Sequence, residues 1–471
     1  MTGPPASGPL VAWYGDDFTG AAAVMEVLEF SGFPSVLFLG LPEPALRARF
    51  ADRRCIGIAG DARTRPPEWM DQNLPPVVAA LRETGAPVIH YKVCSTFDSA
   101  PDIGSIGRAA ELGIGDWAPL VVAAPRIGRW QVFGTLFARH PGGIARLDRH
   151  PTMAVHPVTP MTEADVARHL ARQTALPVGL VSILDLQAGR AAETLARVRG
   201  AGARIVAFDL LDDASLRETG ALIWAEAQVR QLFVLGSQGI EDTLIAAWVA
   251  AGHQLPVSRP APPSGPIAVV SGSCSPDTAR QIAVAEAQGF AAIPIDATRT
   301  PDARAWAQAC AAAEAAALAA LARGQSVIVH SARGPDDPAI AAARAAREAA
   351  GQSPRDGAET LGRGLGALLG RLAARAGLAR TAIAGGDTSG FAIAERGIAA
   401  LTAEAEIVPA VPLLHAHFAD PARPPAEIAV KGGQMGPENL FALVRDGPAG
   451  AAACGVKDHG ERRSATQGRT S

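Results

Sequence analysis

Short, uniformly apolar runs alternate with longer amphipathic stretches along most of the chain. Leu10-Val11-Ala12-Trp13-Tyr14 is apolar throughout and too short for a helix, so it predicts a strand buried on both faces. Residues 19–30 predict a helix and residues 35–39 a second strand. The series continues at Cys55-Ile56-Gly57-Ile58-Ala59, Val88-Ile89-His90-Tyr91, Leu120-Val121-Val122-Ala123-Ala124, residues 178–183, residues 204–208 and Leu232-Phe233-Val234-Leu235. It restarts at Ile267-Ala268-Val269-Val270 and runs through residues 291–295, 326–330, 381–384 and 428–430. Strands alternating with helices imply mostly parallel sheets covered on both faces. Between the two series lies Pro-Val-Ser-Arg-Pro-Ala-Pro-Pro-Ser-Gly-Pro at residues 256–266, with neither period, which predicts a linker. The expected architecture is α/β: two domains, each a mostly parallel sheet flanked by helices, with the active site in the interdomain cleft. The expected division is residues 9–250, a Pro-rich linker at 251–266, and residues 267–445. Residues 446–471 carry no apolar period and predict a disordered tail. No internal repeat is present.

Bulk composition narrows the classes. A chain of 471 residues exceeds one ordinary core, in keeping with two domains. The formal net charge of −3 gives no general attraction to nucleic acid or anionic membrane. The five cysteines are scattered with no CxxC pair, which disfavours a disulfide framework or structural zinc and fits a reducing, cytoplasmic setting. The first residues do not read as a signal peptide, and the alanine-rich stretch 303–322 is interrupted by Arg304, Gln308 and Glu314, so no membrane span is expected.

The candidate chemistry sits at strand ends, where open α/β sheets bind ligands. Gly385-Gly386-Asp387-Thr388-Ser389-Gly390 and Lys431-Gly432-Gly433-Gln434-Met435-Gly436 each follow an apolar run and read as a tight turn opening a helix. Such turns let backbone N–H groups converge on an anion at a helix N-terminus. Ser271-Gly272-Ser273-Cys274-Ser275 is a third of the same kind, although a Ser N-cap accounts for it equally. In the first series, Gly15-Asp16-Asp17-Phe18-Thr19-Gly20 offers adjacent carboxylates, suited either to a polyol or an attacking hydroxyl, or simply to capping the helix. Arg63, in Gly60-Asp61-Ala62-Arg63-Thr64, could grip a carboxylate. Lys92 with Ser95, Thr96 and Asp98, in the run from Lys92 to Ser99, suits a small hydroxy acid or an ordinary polar loop. Cys94 has no neighbouring His or Cys, so a nucleophilic role is weak. His156 is more readily structural than catalytic, and His415 and His417 lack further ligands at suitable spacing, so no metal site is assigned.

Taken in order, these motifs resemble the four-carbon acid sugar kinase family over nearly the whole chain: Asp16-Asp17-Phe18-Thr19-Gly20-Ala21, Ser271 to Ser275, Gly385 to Gly390 and Lys431 to Gly436. The resemblance implies an N-terminal acid-sugar domain, a C-terminal nucleotide domain, and ATP- and Mg²⁺-dependent phosphorylation of the terminal hydroxyl of a four-carbon acid such as threonate, erythronate or 3-oxo-tetronate. It implies Asp16 and Asp17 as catalytic residues, and Arg63, Lys92, Ser95, Thr96 and Asp98 as substrate ligands. It places the nucleotide on Ser271, Ser273, Gly385, Gly386, Asp387, Thr388, Gly432 and Gly433. The run from Lys92 to Ser99 and the one from His156 to Met161 look most like the 3-oxo-tetronate kinase branch. Ser105, the run from Pro125 to Gln131 and Gly236-Ser237-Gln238-Gly239 depart from that branch, which bears on the substrate more than on the chemistry. A non-catalytic binding protein of the same build, and an NAD-dependent oxidoreductase, are the alternatives; the second lacks G-x-G-x-x-G after the first strand. Pairing into a homodimer is left open.

Overall fold

The computed structural model describes residues 3–140, 142–155, 159–257, 260–433 and 435–453, with the Asp387 side chain and those of residues 449–453 excepted. His156, the Gln434 position and residues 454–471 therefore lie outside it. The strands are β1 (Val11–Gly15), β2 (Ser35–Phe38), β3 (Cys55–Ala59), β4 (Val88–Lys92), β5 (Ala118–Val121), β6 (Arg129–Val132), β7 (Thr135–His140), β8 (Gly143–Arg146) and β9 (Val178–Val181). They continue as β10 (Ile205–Phe208), β11 (Leu232–Gly236), β12 (Ala268–Ser271), β13 (Ala291–Pro294), β14 (Val327–His330), β15 (Arg380–Ala384), β16 (Ile398–Val408), β17 (Val411–Phe418) and β18 (Ala426–Lys431).

The N-terminal domain is a parallel stack in the order β2-β3-β1-β4-β11-β5-β10-β9. The C-terminal domain is a parallel stack in the order β13-β14-β12-β15-β18. The central strands are buried along their whole length, β1, β4, β12 and β15 among them. That explains their continuous apolar runs, since both faces are covered by helices.

The sequence pattern did not reveal how the stacks join. β17 runs antiparallel to β18 and β16 antiparallel to β17, and β16 then pairs antiparallel with β2, with Leu401 opposite Leu37 and Ala400 opposite Phe38. Among the described residues one sheet of 15 strands thus crosses both domains. β16 is rich in Ala and Glu, which favour helix over strand, so its conformation comes from its neighbours rather than from propensity.

A second, small sheet, β6-β7-β8, was also not anticipated. Its first hairpin turns at Phe133-Gly134, both at positive φ, and the buried Asp209 carboxylate accepts both turn N–H groups, at 2.6 and 2.9 Å. The tail also needs correction. A helical segment runs from Leu440 to Ala453, kinked at Gly447 ahead of Pro448, so structure continues past the expected end at 445. The helix Ala303–Ala322 is long and apolar enough by composition to cross a membrane; here it packs on β13, β14 and the helix Pro354–Ala376.

Candidate functional site

β1 delivers the acidic pair. Asp17 has extended backbone (φ −141°) and caps the helix Phe18–Glu29: its Oδ1 accepts the Gly20 N–H at 3.0 Å, and its Oδ2 the Thr19 hydroxyl at 2.7 Å. The capping reading and the chemical reading therefore coincide in one residue. Arg63, in the turn after β3, binds both carboxylates; its Nη2 donates to Asp16 Oδ1 at 2.8 Å and to Asp17 Oδ1 at 2.7 Å. Lys92 ends β4, is buried, and donates from Nζ to the Val93 carbonyl at 2.7 Å. A Cβ added at Gly20 would lie 2.3 Å from Asp17 Oδ1 and 2.8 Å from Lys92 Nζ, so the first helical turn must be bare for the ammonium to approach the carboxylate.

The two aspartates titrate apart. Burial pushes Asp16 up to about 6 in spite of Arg63. Burial also acts against ionisation of Asp17, but Arg63, Lys92 and the bonds from Thr19 and Gly20 outweigh it and hold Asp17 below the usual range.

The loop after β4 is tightly folded. Phe97 is fully buried at φ +57°, a strained conformation for a bulky residue that the surrounding packing must hold. Ser95, Thr96 and Asp98 are each more than nine-tenths buried; Thr96 Oγ1 lies 2.9 Å from Cys94 Sγ, and burial raises the Cys94 thiol. Asp98 Oδ1 is buried with no hydrogen-bond partner among the described residues.

On the other domain three turns converge. Gly385, at φ +127°, caps the helix Gly386–Glu395. A Cβ at Gly272 would lie 2.2 Å from Thr388 Oγ1, and one at Gly433 would lie 3.3 Å from Ser273 Oγ. Ser273 Oγ lies 2.9 Å from Thr278 Oγ1, which donates to the Gly433 carbonyl at 3.1 Å. A Cβ at Gly386 meets nothing within 4 Å, so the space above this helix start is open. Its first N–H groups have no intrahelical acceptor.

Sequence reasoning noted the turn at Lys431 but not the lysine itself as a functional residue. Lys431 is buried at the end of β18, and its Nζ donates to Thr278 Oγ1 and Gln281 Oε1, both at 2.7 Å, and to the Gly433 carbonyl at 3.1 Å. Burial lowers it to about 8. A compositional signal existed. The chain has only three lysines among 43 basic residues, and Lys92 and Lys431 both end strands at this site. His90 and Glu241 were also missed. They form a fully buried pair at 2.8 Å, and His90 Nε2 lies 3.0 Å from the Gly236 carbonyl, which accepts the Val93 N–H at 2.7 Å beside Lys92.

The two halves meet because the helices that open at each turn pack together. Phe18–Glu29 lies on Gly386–Glu395, with a Cβ at Gly390 only 3.5 Å from Phe18 Cβ. Phe18 follows Asp17 and Gly390 is one turn from Gly386, so the helix that follows the acidic pair touches the helix that follows the glycine turn across the domain boundary. Arg355, at the start of Pro354–Ala376, also crosses it, donating to Asp61 Oδ2 at 3.0 Å and Thr64 Oγ1 at 2.9 Å on either side of Arg63. His417 instead bonds Thr402 within the bridging hairpin, at 2.9 Å.

Residues 11–244 match the sugar-binding N-terminal domain model, and residues 268–441 the nucleotide-binding C-terminal domain model. The chain is 47% identical to a 3-oxo-isoapionate kinase of Paraburkholderia graminis, over 94% of this chain and 95% of that protein. It is 33% identical to a 3-oxo-tetronate kinase of Cupriavidus necator, over 92% and 96%. A solved Haemophilus influenzae protein, 24% identical, shares the fold with a TM-score of 0.67 over 92% of this chain and 98% of that one. With both domain models matched in order on the two halves that build the site, the chain belongs to the four-carbon acid sugar kinase family.

Proposed function

We propose that the protein transfers the γ-phosphoryl group of ATP to the terminal (C4) hydroxyl of a 3-oxo sugar acid. The observation that carries this reading is the contact between the helix that opens at the Asp16–Asp17–Arg63–Lys92 cluster and the helix that opens at the Gly385-Gly386 turn, where the three glycine turns converge. The names of the two relatives add support, since both denote kinases of 3-oxo acids. The 47% identity makes 3-oxo-isoapionate the first acid to try and 3-oxo-tetronate the second. On this reading, residues 9–250 bind the sugar acid, 267–445 bind the nucleotide, and 251–266 link them. The unpaired thiols of Cys55, Cys94, Cys274 and Cys310 suit a cytoplasmic enzyme.

Phosphoryl transfer needs in-line positioning and charge stabilisation more than covalent help. Asp17 orients the C4 hydroxyl and takes its proton. Arg63 ties the two carboxylates together, and Lys92 holds positive charge beside Asp17. Ser95, Thr96 and Asp98 receive the remaining hydroxyls. The turns at Ser271, Ser273, Gly385 to Thr388 (Asp387 included), Gly432 and Gly433 present N–H and hydroxyl groups to the phosphates. Lys431 braces the third turn from beneath. The open space above Gly386 suits a phosphate group. Mg²⁺, carried in on the ATP phosphates that supply most of its ligands, would neutralise charge there. Domain contact around the site excludes water, which otherwise competes as acceptor.

Asp17→Asn should lower kcat by about 10²- to 10⁴-fold while ATP still binds, the range for removal of a general base. Gly386→Val should abolish ATP binding while the sugar acid still binds, because its side chain fills the phosphate space without touching protein. If both variants lose both ligands, or neither loses anything, the assignment of roles fails.

A further inference from the structure

Arg63 is engaged by two aspartates and Lys92 by a backbone carbonyl, which leaves the carboxylate of the sugar acid without an obvious partner. Arg129 supplies one. It stands at the first position of β6, on the segment that leaves the carboxyl end of β5, at the same sheet edge as the ends of β1 and β4. Its Nη1 turns back to the carbonyls of Gly128 at 3.1 Å and of Ile127 and Arg139 at 3.5 Å. Among the described residues its buried Nε has no partner and no carboxylate pairs with it. Arg63 and Arg380, by contrast, both have carboxylate partners. Burial disfavours the Arg129 charge, and the acidic groups that act on it are Cys94 and Asp98 in the loop after β4. Asp98 is buried, and its Oδ1 has no hydrogen-bond partner among the described residues.

A half-buried cation with an unpaired Nε and a buried carboxylate oxygen without a hydrogen-bond partner are each costly alone. A molecule with a carboxylate at one end and hydroxyls beside it satisfies both at once. The small sheet also holds Arg129 in place. Gln131 and Asp209 are fully buried; Gln131 Nε2 donates to the Phe208 carbonyl at 3.1 Å, and Asp209 accepts the N–H groups of Phe133, Gly134 and Ile183. We propose that Arg129 binds the substrate carboxylate and Asp98 an adjacent hydroxyl, so that the sheet β6-β7-β8 selects acids over neutral sugars. The inference rests on the kinase reading above and gives a role to one stretch, Pro125 to Gln131, that departs from the 3-oxo-tetronate kinase pattern.

Erythrulose is the four-carbon chain of 3-oxo-tetronate with its carboxylate replaced by CH₂OH, so the pair isolates that group. Wild type and Arg129→Gln should be compared with both compounds for kcat and KM, and by calorimetry in the presence of a non-hydrolysable ATP analogue. Arg129→Gln should raise KM for the acid by about 10- to 100-fold, the loss expected for one charge-assisted hydrogen-bonded pair, and leave KM for erythrulose and ATP unchanged. Arg129→Lys should recover part of the preference, because it restores charge without the fork. Retention of the acid preference in Arg129→Gln overturns the proposal. So does an equal loss for both compounds, which marks Arg129 as structural. If wild type binds the acid without phosphorylating it, and Arg129→Gln weakens that binding alone, the carboxylate role stands and the kinase reading falls. If wild type binds neither compound, both fall.

Discussion

Asp16 and Asp17 are adjacent in sequence, yet their surroundings drive them in opposite directions. Asp16 is buried and protonates near 6, whereas Asp17 stays ionised well below that. The two share Arg63, so the acid limb belongs to the pair rather than to one residue. Protonating Asp16 removes a carboxylate that orders Arg63, so kcat/KM should fall as pH drops through about 6. Asp16→Asn should show no such limb down to the range where Asp17 titrates. A pH–rate profile in which the limb persists unchanged in Asp16→Asn would assign it elsewhere. At Gly272 the constraint is steric: a Cβ would meet Thr388 Oγ1 at 2.2 Å, and Thr388 belongs to the neighbouring turn. Gly272→Ala should therefore push two phosphate turns apart and raise KM for ATP about 10-fold or more, an effect of the 1–3 kcal/mol that overpacking costs. Unchanged ATP kinetics would show that the turns tolerate the shift. The sequence made these residues candidates because glycine and aspartate at strand ends suit phosphate and hydroxyl groups, although a helix cap uses the same residues, and Asp17 is such a cap. Lys431, His90 and Glu241 were not legible from local pattern, since their roles depend on groups about 150 positions away.

Among the elements, the buried parallel strands and the capped helices were readable because their signals are local. Continuous apolar runs mark the strands, and the acidic pair marks the start of Phe18–Glu29, where Asp17 caps the helix; the capping box at Ser353 and Asp356 that opens Pro354–Ala376 was equally local but was not read. The hairpin β16–β17 was not readable, because an Ala- and Glu-containing strand is specified by what it pairs with. One contact ties it to the helix at the site. Glu26 of Phe18–Glu29 is buried and accepts the N–H of Ala410, at the hairpin turn, at 2.8 Å. Burial pushes its carboxyl to about 8, against a usual 4.5, partly opposed by that bond. The folded protein therefore holds a proton that the unfolded chain releases between those values, so this group's contribution to stability declines as pH rises from about 4.5 to 8. Glu26→Gln keeps the acceptor and removes the charge. Its melting temperature relative to wild type should be higher at pH 8.5 than at pH 5, by an amount that grows with pH between them. An equal offset at both pH values would contradict the buried carboxyl.

For the whole molecule, the sheet crosses the domain boundary through the β2–β16 ladder, and Phe18–Glu29 packs on Gly386–Glu395 beside it. The linker is likewise tied down, with Arg380 Nη1 on the Pro262 carbonyl at 2.9 Å and the Ser264 N–H on the Arg445 carbonyl at 2.8 Å. The two domains should therefore melt in a single calorimetric transition with equal van't Hoff and calorimetric enthalpies, and two well-separated transitions would contradict that coupling. The division into two α/β halves was legible from the Pro-rich break, but their fusion into one sheet was not, because antiparallel pairing of distant strands leaves no periodic trace. That fusion sets the helix that follows the acidic pair of one half against the helix that follows the glycine turn of the other. Its consequence is tested by ADP release from Mg·ATP across 3-oxo-isoapionate, 3-oxo-tetronate and the D and L forms of threonate and erythronate, with the product mass recorded. ADP should form with at least one of these acids, matched by that acid gaining one phosphate, with a 3-oxo acid the best acceptor. ATP binding with no phosphorylated product from any of these acids would contradict it.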